Sequence, residues 1–314
     1  MPSMQKVKAL KRGGTVGIIA PAGSVKEESL LKGSVELQAL GFQVICSDSA
    51  LSQHYYFAGS HDERAAELVR MFEDPRVDAI FCARGGYGCH HLIGRLDASR
   101  IKVNPKIFIG YSDITVLLQF LENSCHMTCF HGPMVARELA LGEPSYVREN
   151  LLECLTRINP GQRITSSGLE TLQPGVARGH LTGGCLSLLT ATLGTPYEIE
   201  TTGKILFLED VNAKPYQVDR MLMHLKLARK LEDVQGIVFG EMLHCAPGSE
   251  QGYSLQEIIF DILRDFGFPI LFGLPSGHTS TGALTLPFGV MALLNADEKY
   301  LELEEAAVTS LYAA

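Results

Sequence analysis

KIFIGYSDITVLL, residues 106–118, is the stretch that decides how the first half of this chain folds. Lys106–Ile109 is a short apolar run that predicts a buried strand, and Ile114–Leu121 has the pattern of a helix. Ser112 stands between them, so it lies on a sharp turn that leads into a helix N-terminus. Backbone N–H groups and the helix dipole favour a developing negative charge at such a turn.

Two interpretations of Ser112 follow from this position. It is the nucleophile of a hydrolase, or it is the N-cap of the helix that begins after it. The nucleophile motif of hydrolases has a second glycine two residues after the serine, and this chain has Ile114 there, so the match is partial. The local sequence by itself favours the cap.

The sequence on either side alternates strand and helix patterns. Capping-box patterns, Ser24 with Glu27 and Ser60 with Glu63, predict the starts of two helices. Apolar runs predict strands at Thr15–Ala20, Phe42–Cys46, Val77–Cys82 and Lys106–Ile109. We therefore expect an α/β fold in which residues 1–157 form a flavodoxin-like N-terminal domain with a parallel sheet.

The composition changes at residues 158–174, where Asn, Pro, Gly, Gln and Ser cluster. We interpret this segment as a linker. The patterns beyond it predict strands at Ile205–Glu209, Ile237–Gly240, Val290–Leu294 and Tyr300–Leu303, and helices at Tyr216–Ala228 and Ser254–Phe266. Residues 175–314 are therefore expected to form a smaller, β-rich domain of mixed α+β structure.

Length and charge exclude several classes of protein. The chain has 314 residues, 46 % of them apolar and 20 % charged, with a net charge of −8. A chain of this length usually forms two domains. Because Lys and Arg form no run longer than a pair, we expect no nucleic-acid partner. No apolar span reaches the about 18 residues of a membrane helix, so we expect no membrane insertion.

The cysteines and the start of the chain indicate a compartment. Eight cysteines are scattered over predicted strands and helices, which is unlike a small disulfide-framed secreted domain. The basic start, MPSMQKVKALKRGG, and the apolar TVGIIAPAG after it faintly resemble a signal peptide. Gly17 and Pro21 interrupt that apolar stretch, which favours a first strand instead. We expect reduced, mostly buried thiols and a cytoplasmic location.

Three further segments carry candidate site residues. Arg84–Gly88, RGGYG, follows a predicted strand, and its glycines allow close backbone approach to an anion, although a plain tight turn explains them equally well. Glu209 and Asp210 end an apolar strand, where a carboxylate can orient a histidine; a strand end that emerges into solvent is the commoner case. His278 lies on the loop GLPSGHTSTG, from which an imidazole can act as general base.

Metal and cofactor motifs are weak. His90-His91 and the group Cys125, Cys129 and His131 lack the spacing of zinc sites. The glycine-rich loop is neither a GxGxxG nor a Walker sequence. We therefore expect no metal and no organic cofactor.

The order of these segments resembles the LD-carboxypeptidase family of serine peptidases, which includes murein-recycling enzymes and microcin C immunity peptidases. The strings that carry the resemblance run through nearly the whole chain. They are GIIAPAG at 17–23, ARGGYG at 83–88, PKIFIGYSDIT at 105–115, FHGPM at 130–134, LTGG at 181–184, LGTP at 193–196, LFLED at 206–210, PYQVDRML at 215–222, GLPSGH at 273–278 and LPFG at 286–289.

The resemblance implies a role for particular residues. Ser112 is then the nucleophile, Glu209 the triad carboxylate and His278 the base. The implied oxyanion donors are the backbone N–H groups of Asp113 and Gly86. The family fold implies that the active site lies at the interface of the two domains.

The resemblance also implies a reaction, namely hydrolysis of an L,D-peptide bond that releases D-Ala from a murein tetrapeptide in cell-wall recycling. The alternatives are a microcin-C-type immunity peptidase that cleaves a peptidyl or aminoacyl nucleotide, and a protein that binds a small ligand without turnover. Arg84 and Arg220 are candidates for binding the free carboxylate of the substrate, since a buried carboxylate needs a basic partner, and a surface or structural role explains either arginine equally well. Tyr87 is a further candidate for binding the substrate. We expect the protein to form a homodimer and to bind this small peptide as its substrate.

Overall fold

The structure, a computed structural model, describes residues 4–47 and 49–310. Its strands, numbered in chain order, are β1 (Val7–Lys8), β2 (Thr15–Ile19), β3 (Gln43–Cys46), β4 (Ala79–Cys82), β5 (Ile107–Gly110), β6 (Cys129–His131), β7 (Gln162–Ile164), β8 (Glu170–Gln173), β9 (Val176–Cys185), β10 (Lys204–Glu209), β11 (Gly236–Gly240), β12 (Ile270–Leu274), β13 (Leu286–Phe288), β14 (Met291–Asn295), β15 (Tyr300–Leu303) and β16 (Val308–Thr309). Its α-helices are α1 (Glu27–Ala39), α2 (His61–Glu73), α3 (His90–Ile93), α4 (Ala98–Lys102), α5 (Thr115–Asn123), α6 (Arg148–Thr156), α7 (Leu186–Ala191), α8 (Pro215–Leu227) and α9 (Leu255–Leu263). Short 3-10 segments lie at Ser112–Ile114 and Arg264–Phe266, and a π-helical turn lies at Val135–Leu139. Within the described ranges, no helix has the length and apolar character needed to cross a membrane.

The chain forms two compact units. Of the residues that the structure describes, the first contains those up to Ile158, together with Thr281–Pro287 and those from Ala307 to Ser310. The second contains Asn159–Ser280 and Phe288–Ala306. The chain therefore leaves the first unit and returns to it twice.

This division differs from the expected boundaries in two ways. The expected linker, residues 158–174, contains β7 and β8, which pair with β15 and β12 at the two edges of a sheet. The expected C-terminal domain, residues 175–314, supplies β16 and most of β13 to the first unit. Polar sequence with Gly and Pro is typical of edge strands as well as of linkers, so composition does not separate the two.

A six-stranded sheet in the order β13-β6-β5-β4-β2-β3 forms the centre of the first unit. Strands β2 to β6 pair in parallel, and every residue of β4 and β5 is buried. Continuous apolar runs are typical of parallel strands that are covered on both faces. The parallel sheet expected for the N-terminal part is thus confirmed. The loops that follow β2, β4, β5 and β6 leave the sheet at its carboxyl edge, where such sheets bind ligands.

One of the two capping boxes predicted in this unit forms. At α2, the backbone nitrogen of Glu63 donates to Oγ of Ser60 at 3.3 Å, and that of Ser60 donates to the Glu63 carboxylate at 2.9 Å. At α1, the N-cap is Lys26, which makes no side-chain cap bond, so the box predicted at Ser24 is wrong. The backbone nitrogen of Ser24 instead donates to the carbonyl oxygen of Tyr56 at 3.0 Å, which holds Ser24 in a loop outside the helix.

An eight-stranded sheet in the order β7-β15-β14-β9-β10-β11-β12-β8 forms the second unit. Its central strands β9 to β12 are parallel, and the outer strands on both sides pair antiparallel. Helices α7, α8 and α9 pack against the sheet through a buried cluster that includes Leu206, Leu208, Leu222 and Ile259. The mixed, sheet-rich C-terminal fold expected from the sequence is thus confirmed. The carboxyl ends of β10, β11 and β12 lie together at one edge.

Candidate active site

Ser112 lies in strained backbone on the turn between β5 and α5. Its φ is +64°, in the left-handed region that residues other than glycine rarely adopt. Strain of this kind is concentrated at functional sites. The N-cap position of α5 belongs to Ile114, and an N-cap residue usually has extended rather than left-handed backbone. The interpretation of Ser112 as a helix cap is therefore wrong.

The glycine-rich loop after β4 packs against this turn at Gly85. A Cβ atom placed on Gly85 would lie 2.9 Å from Cβ and 3.0 Å from Oγ of Ser112, so glycine is required at this position. The same point lies 3.4 Å from the backbone nitrogen of Asp113. The neighbouring Gly86 has a φ of +114° and packs against Gly23 in the loop after β2. The structure therefore brings the predicted loop to the serine, with Gly85 as the residue that touches it.

A buried arginine, Arg64 of α2, holds the glycine-rich loop in place. Its side chain is 2 % exposed and donates to the carbonyl oxygens of Gly88, at 3.2 Å, and Pro21. The backbone nitrogen of Cys89, at the end of the loop, donates to Oδ2 of Asp113 at 2.8 Å. These bonds satisfy buried polar groups and connect the loop to the serine turn. Nothing in the sequence pattern marked Arg64, because a single arginine in an amphipathic helix usually lies at the surface.

Glu138 fixes the residue that precedes the serine. The Tyr111 hydroxyl donates to Oε1 of Glu138 at 2.7 Å, and the backbone nitrogen of Met134 donates to Oε2 at 3.1 Å. Burial and the adjacent carboxylate raise the pKa of the Tyr111 phenol well above its usual value, so the phenol stays a neutral donor. The sequence patterns did not mark Glu138 either. The available signal was the string FHGPM, which ends directly before the segment that contains Glu138.

Two of the three candidate substrate-binding residues lie on the glycine-rich loop. Nη1 of Arg84 donates to the carbonyl oxygen of Ser24 at 3.1 Å, and Arg84 forms no ion pair with any residue that the structure describes. Tyr87 is 45 % exposed, and its ring centroid lies 6.0 Å from that of Tyr56 and 5.7 Å from that of His91. An arginine without a carboxylate partner and an exposed aromatic ring are both able to contact a ligand.

The third candidate, Arg220, lies on the exposed side of α8. Its guanidinium carbon stands 5.4 Å from the ring centroid of Tyr216, one helical turn away. This is the geometry of a surface cation–π pair. Within the described part of the chain, no hydrogen bond or ion pair joins Arg220 to Glu209 or His278.

Glu209 and His278 form a hydrogen-bonded pair. Glu209 is the last residue of β10 and is fully buried. Its Oε2 atom accepts from the backbone nitrogen of His278 at 3.1 Å and lies 2.7 Å from Nδ1 of the ring. An ionised carboxylate only accepts, so this contact favours a ring proton on Nδ1, which in the neutral imidazole leaves the lone pair on Nε2. Gly240 in β11 makes room for the carboxylate, since a Cβ atom there would lie 2.7 Å from Cβ of Glu209.

Asp210 is buried too, but it points away from this pair. Its Oδ2 accepts from the backbone nitrogen of Ser187 at 2.8 Å, and its Oδ1 accepts from that of Val211 at 2.8 Å. Burial raises the pKa of the Asp210 carboxyl. Successive strand residues face opposite sides, so Glu209 alone reaches His278. The interpretation of these carboxylates as a solvent-exposed strand end is therefore wrong.

A third carboxylate, Glu241, lies beside the same loop. It follows β11 directly and accepts hydrogen bonds from Thr279 and Ser280, the residues after His278. The sequence carries a signal for this carboxylate, since Glu241 directly follows an apolar strand, much as Glu209 ends one. No group of three or more His, Cys, Asp or Glu side chains in residues 4–47 and 49–310 is placed to hold a metal ion.

Comparison with known proteins identifies relatives of this chain. Residues 16–132 match the LD-carboxypeptidase N-terminal domain, and residues 178–294 match the LD-carboxypeptidase C-terminal domain. The chain is 41 % identical over 303 residues to the probable murein peptide carboxypeptidase of Bacillus subtilis, an alignment that covers 95 % of this chain and 94 % of the relative. It is 31 % identical over 290 residues to the murein tetrapeptide carboxypeptidase of Pseudomonas aeruginosa, covering 90 % and 93 %.

Solved structures share the fold. The microcin C7 self-immunity protein MccF, in complex with aspartyl sulfamoyl adenosine, gives a TM-score of 0.88 at 26 % identity and covers 97 % of this chain and 100 % of its own. The muramoyltetrapeptide carboxypeptidase of Oxalobacter formigenes gives a TM-score of 0.84 at 27 % identity, covering 94 % and 100 %. Both domain matches and the identity to the Bacillus protein extend over most of the sequence, and this chain therefore belongs to the LD-carboxypeptidase family.

Proposed function

We propose that this protein is a serine carboxypeptidase that hydrolyses the L,D-peptide bond of a murein tetrapeptide and releases the terminal D-Ala. The observation that carries the proposal is the 2.7 Å contact between the buried carboxylate of Glu209 and Nδ1 of His278. A buried carboxylate in this position sets the tautomer and stabilises the imidazolium form of a catalytic histidine. The names of the relatives in Bacillus and Pseudomonas support the same substrate.

Ser112 supplies the nucleophile in this proposal. Nε2 of His278 takes the hydroxyl proton while Oγ of Ser112 bonds to the scissile carbonyl carbon and the carbonyl electrons move onto oxygen. The imidazolium then gives its proton to the D-Ala nitrogen as the C–N bond breaks. A water molecule, deprotonated by the same imidazole, then attacks the acyl carbon. The ester bond to Oγ breaks, the imidazolium returns its proton to Oγ, and the shortened peptide leaves with a free carboxylate. Glu209 stays ionised throughout and balances the imidazolium charge.

We assign the oxyanion to the backbone N–H groups of Asp113 and Gly86. The position of Asp113 supports this assignment, since it follows the serine and its carboxylate is tied to the end of the glycine-rich loop. The close approach of Gly85 keeps the loop backbone beside Ser112. Removing one donor of this kind typically costs about 3–4 kcal/mol of transition-state stabilisation.

Arg84 is our candidate for the group that binds the terminal carboxylate of the substrate. It extends from the loop that packs against Ser112, and it has no carboxylate partner among the described residues. Arg220 is the weaker candidate, because its guanidinium already stacks on Tyr216 at the surface. The exposed ring of Tyr87 is proposed to line the same peptide.

Cleavage of a peptidyl or aminoacyl nucleotide is the second candidate function, because MccF, which shares the fold, was solved with aspartyl sulfamoyl adenosine. This chain contains no tryptophan, the side chain that stacks best on an adenine, so we place the murein peptide first. We further propose a cytoplasmic homodimer that serves in recycling of cell-wall peptides. The eight cysteines, none of them in a disulfide, support that compartment.

The decisive experiment is incubation of the purified protein with murein tri-, tetra- and pentapeptides and with aspartyl sulfamoyl adenosine, followed by mass spectrometry. We expect the tetrapeptide to yield the tripeptide and alanine, and the other compounds to remain intact. A serine-directed phosphonate should label Ser112 of the parent protein and leave Ser112→Ala unlabelled. Cleavage of the nucleotide alone would favour the immunity function, and absence of both cleavage and labelling would favour a binding protein.

A further inference from the structure

Glu241 receives three hydrogen bonds from the loop that carries His278. Its Oε2 atom accepts from the backbone nitrogen of Ser280 at 2.8 Å and from the Ser280 hydroxyl at 2.7 Å. Its Oε1 atom accepts from the hydroxyl of Thr279. Hydrogen bonds to an ionised carboxylate are about twice as strong as neutral ones, so this contact fixes the loop firmly.

Three consecutive loop residues are thus held by two carboxylates. Glu209, at the end of β10, holds His278, and Glu241, directly after β11, holds Thr279 and Ser280. Because β10 and β11 are adjacent parallel strands, both carboxylates are set by the rigid sheet. The loop itself begins after β12 and is rich in Gly, Ser and Thr.

We propose that Glu241 is a positioning residue for the hydrolysis proposed above: by fixing Thr279 and Ser280 it keeps the His278 ring seated on Glu209. This inference rests on the proposed function for its kinetic consequence only. A base that sits about 1 Å from its productive position costs up to about 100-fold in rate, so a contact that fixes the residues directly after His278 bears on turnover.

Four variants test the proposal. Glu241→Ala removes the acceptor, and Glu241→Asp retains the charge on a side chain one methylene shorter. Thr279→Val removes the donor hydroxyl, whereas Thr279→Ser keeps it. Glu250→Gln, which changes an exposed carboxylate in the same unit, is the matched control.

Three measurements are made on each variant: kcat and KM for D-Ala release, the rate and final extent of phosphonate labelling of Ser112, and the low-field proton NMR signal of the His278 Nδ1–H. For Glu241→Ala we expect kcat and the labelling rate to fall about 10- to 100-fold, with KM within about threefold of the parent and labelling still going to completion. For Thr279→Val we expect kcat and the labelling rate to fall less than in Glu241→Ala. Both rates should stay close to those of the parent in Glu241→Asp, Thr279→Ser and Glu250→Gln. The imidazole proton signal should broaden or move upfield in Glu241→Ala and stay unchanged in Thr279→Ser.

Two outcomes overturn the inference. One is a Glu241→Ala protein whose kcat and imidazole signal match those of the parent. The other is a Glu241→Ala protein whose activity falls in proportion to its final extent of labelling. That pattern indicates a fraction of unfolded protein rather than a displaced base. If the parent itself releases no D-Ala, the proposed function fails, and the imidazole signal still decides whether Glu241 positions His278.

Discussion

One oxygen atom of Glu209, Oε2, lies 2.7 Å from Nδ1 and 3.1 Å from the backbone nitrogen of His278. A single buried acceptor thus fixes both the ring and the start of the loop that carries it. Asp210, the next residue along the chain, is also buried, and each of its carboxylate oxygens accepts a hydrogen bond from a backbone N–H group instead. The two neighbours therefore have separable effects when each is changed to its amide.

Glu209→Gln is expected to lower kcat by about 10⁴-fold, because an amide favours the wrong imidazole tautomer and cannot balance the imidazolium charge. Asp210→Asn should instead lower the free energy of unfolding by about 1–3 kcal/mol, since one buried backbone donor would face an amide NH₂ group. D-Ala release and urea unfolding of both variants check this. A larger loss of kcat in Asp210→Asn would reverse the assignment.

Ser112→Ala is expected to abolish turnover with the fold intact. Ser112→Gly should be inactive as well, and as stable as the parent or up to about 1 kcal/mol more stable, because glycine adopts a φ of +64° without strain. Kinetics and urea unfolding of both variants measure the two effects. An alanine variant that still releases D-Ala at near the parent rate would remove Ser112 as the nucleophile.

A fragment that ends at residue 160 is expected not to fold stably. It lacks β13, which borders β6, and β16, which pairs with β1. It also loses Thr285, whose backbone nitrogen donates to Oδ1 of Asn150 at 2.6 Å in the first unit. Urea unfolding and limited proteolysis compare the fragment with the full chain. A cooperative transition at the parent's midpoint would show that the first unit folds without its later segments.

Acid is expected to destabilise the first unit through His61. Nη2 of Arg64 donates to its Nδ1 at 2.6 Å, and its ring stacks on His91 with centroids 4.1 Å apart. Burial, and then the charges of His91, Arg64, Arg95 and His54, lower the pKa of His61. The folded state therefore resists protonation, so stability is complete above the unfolded pKa of about 6.5 and is lost as pH falls through it towards the lower folded pKa.

His61→Gln keeps an acceptor for Arg64 and removes this titration. We expect the free energy of unfolding of His61→Gln to fall less between about pH 7.5 and pH 5 than that of the parent. Urea unfolding across this range measures the difference. Parallel curves for the two proteins would show that His61 does not carry the effect.

Cys46 is expected to react faster with thiol reagents than the other cysteines. It is exposed, whereas the other cysteines are buried. Burial raises the pKa of Cys82 and Cys89 well above the usual value, which keeps them as unreactive thiols. One thiol per chain should react quickly with an aromatic disulfide reagent at neutral pH, and Cys46→Ser should lose that phase. A fast phase that survives in Cys46→Ser would mean that a second cysteine becomes accessible in the native protein.

The sequence by itself determined the elements whose signals are local. The buried strands β4 and β5 follow from continuous apolar runs, and the start of α2 follows from the capping box of Ser60 and Glu63. The turn at Ser112 was visible for the same reason, because a strand and a helix met within a few residues. Hydrogen bonds and burial over three to six residues are encoded in those residues alone.

The tertiary structure alone decided how distant segments combine. His278 meets Glu209 across 69 positions, and Ser280 meets Glu241 across 39. The pairing of Glu209 with His278 was implied by family resemblance only, and Glu241 and Arg64 were not marked at all. A carboxylate at a strand end has the same local sequence whether it faces solvent or a loop, because the choice depends on strand register and on which segments return to the sheet edge. The crossings that give β16 to the first unit escaped prediction for that reason as well, since pairing partners far apart in the chain leave no periodic signal in either segment.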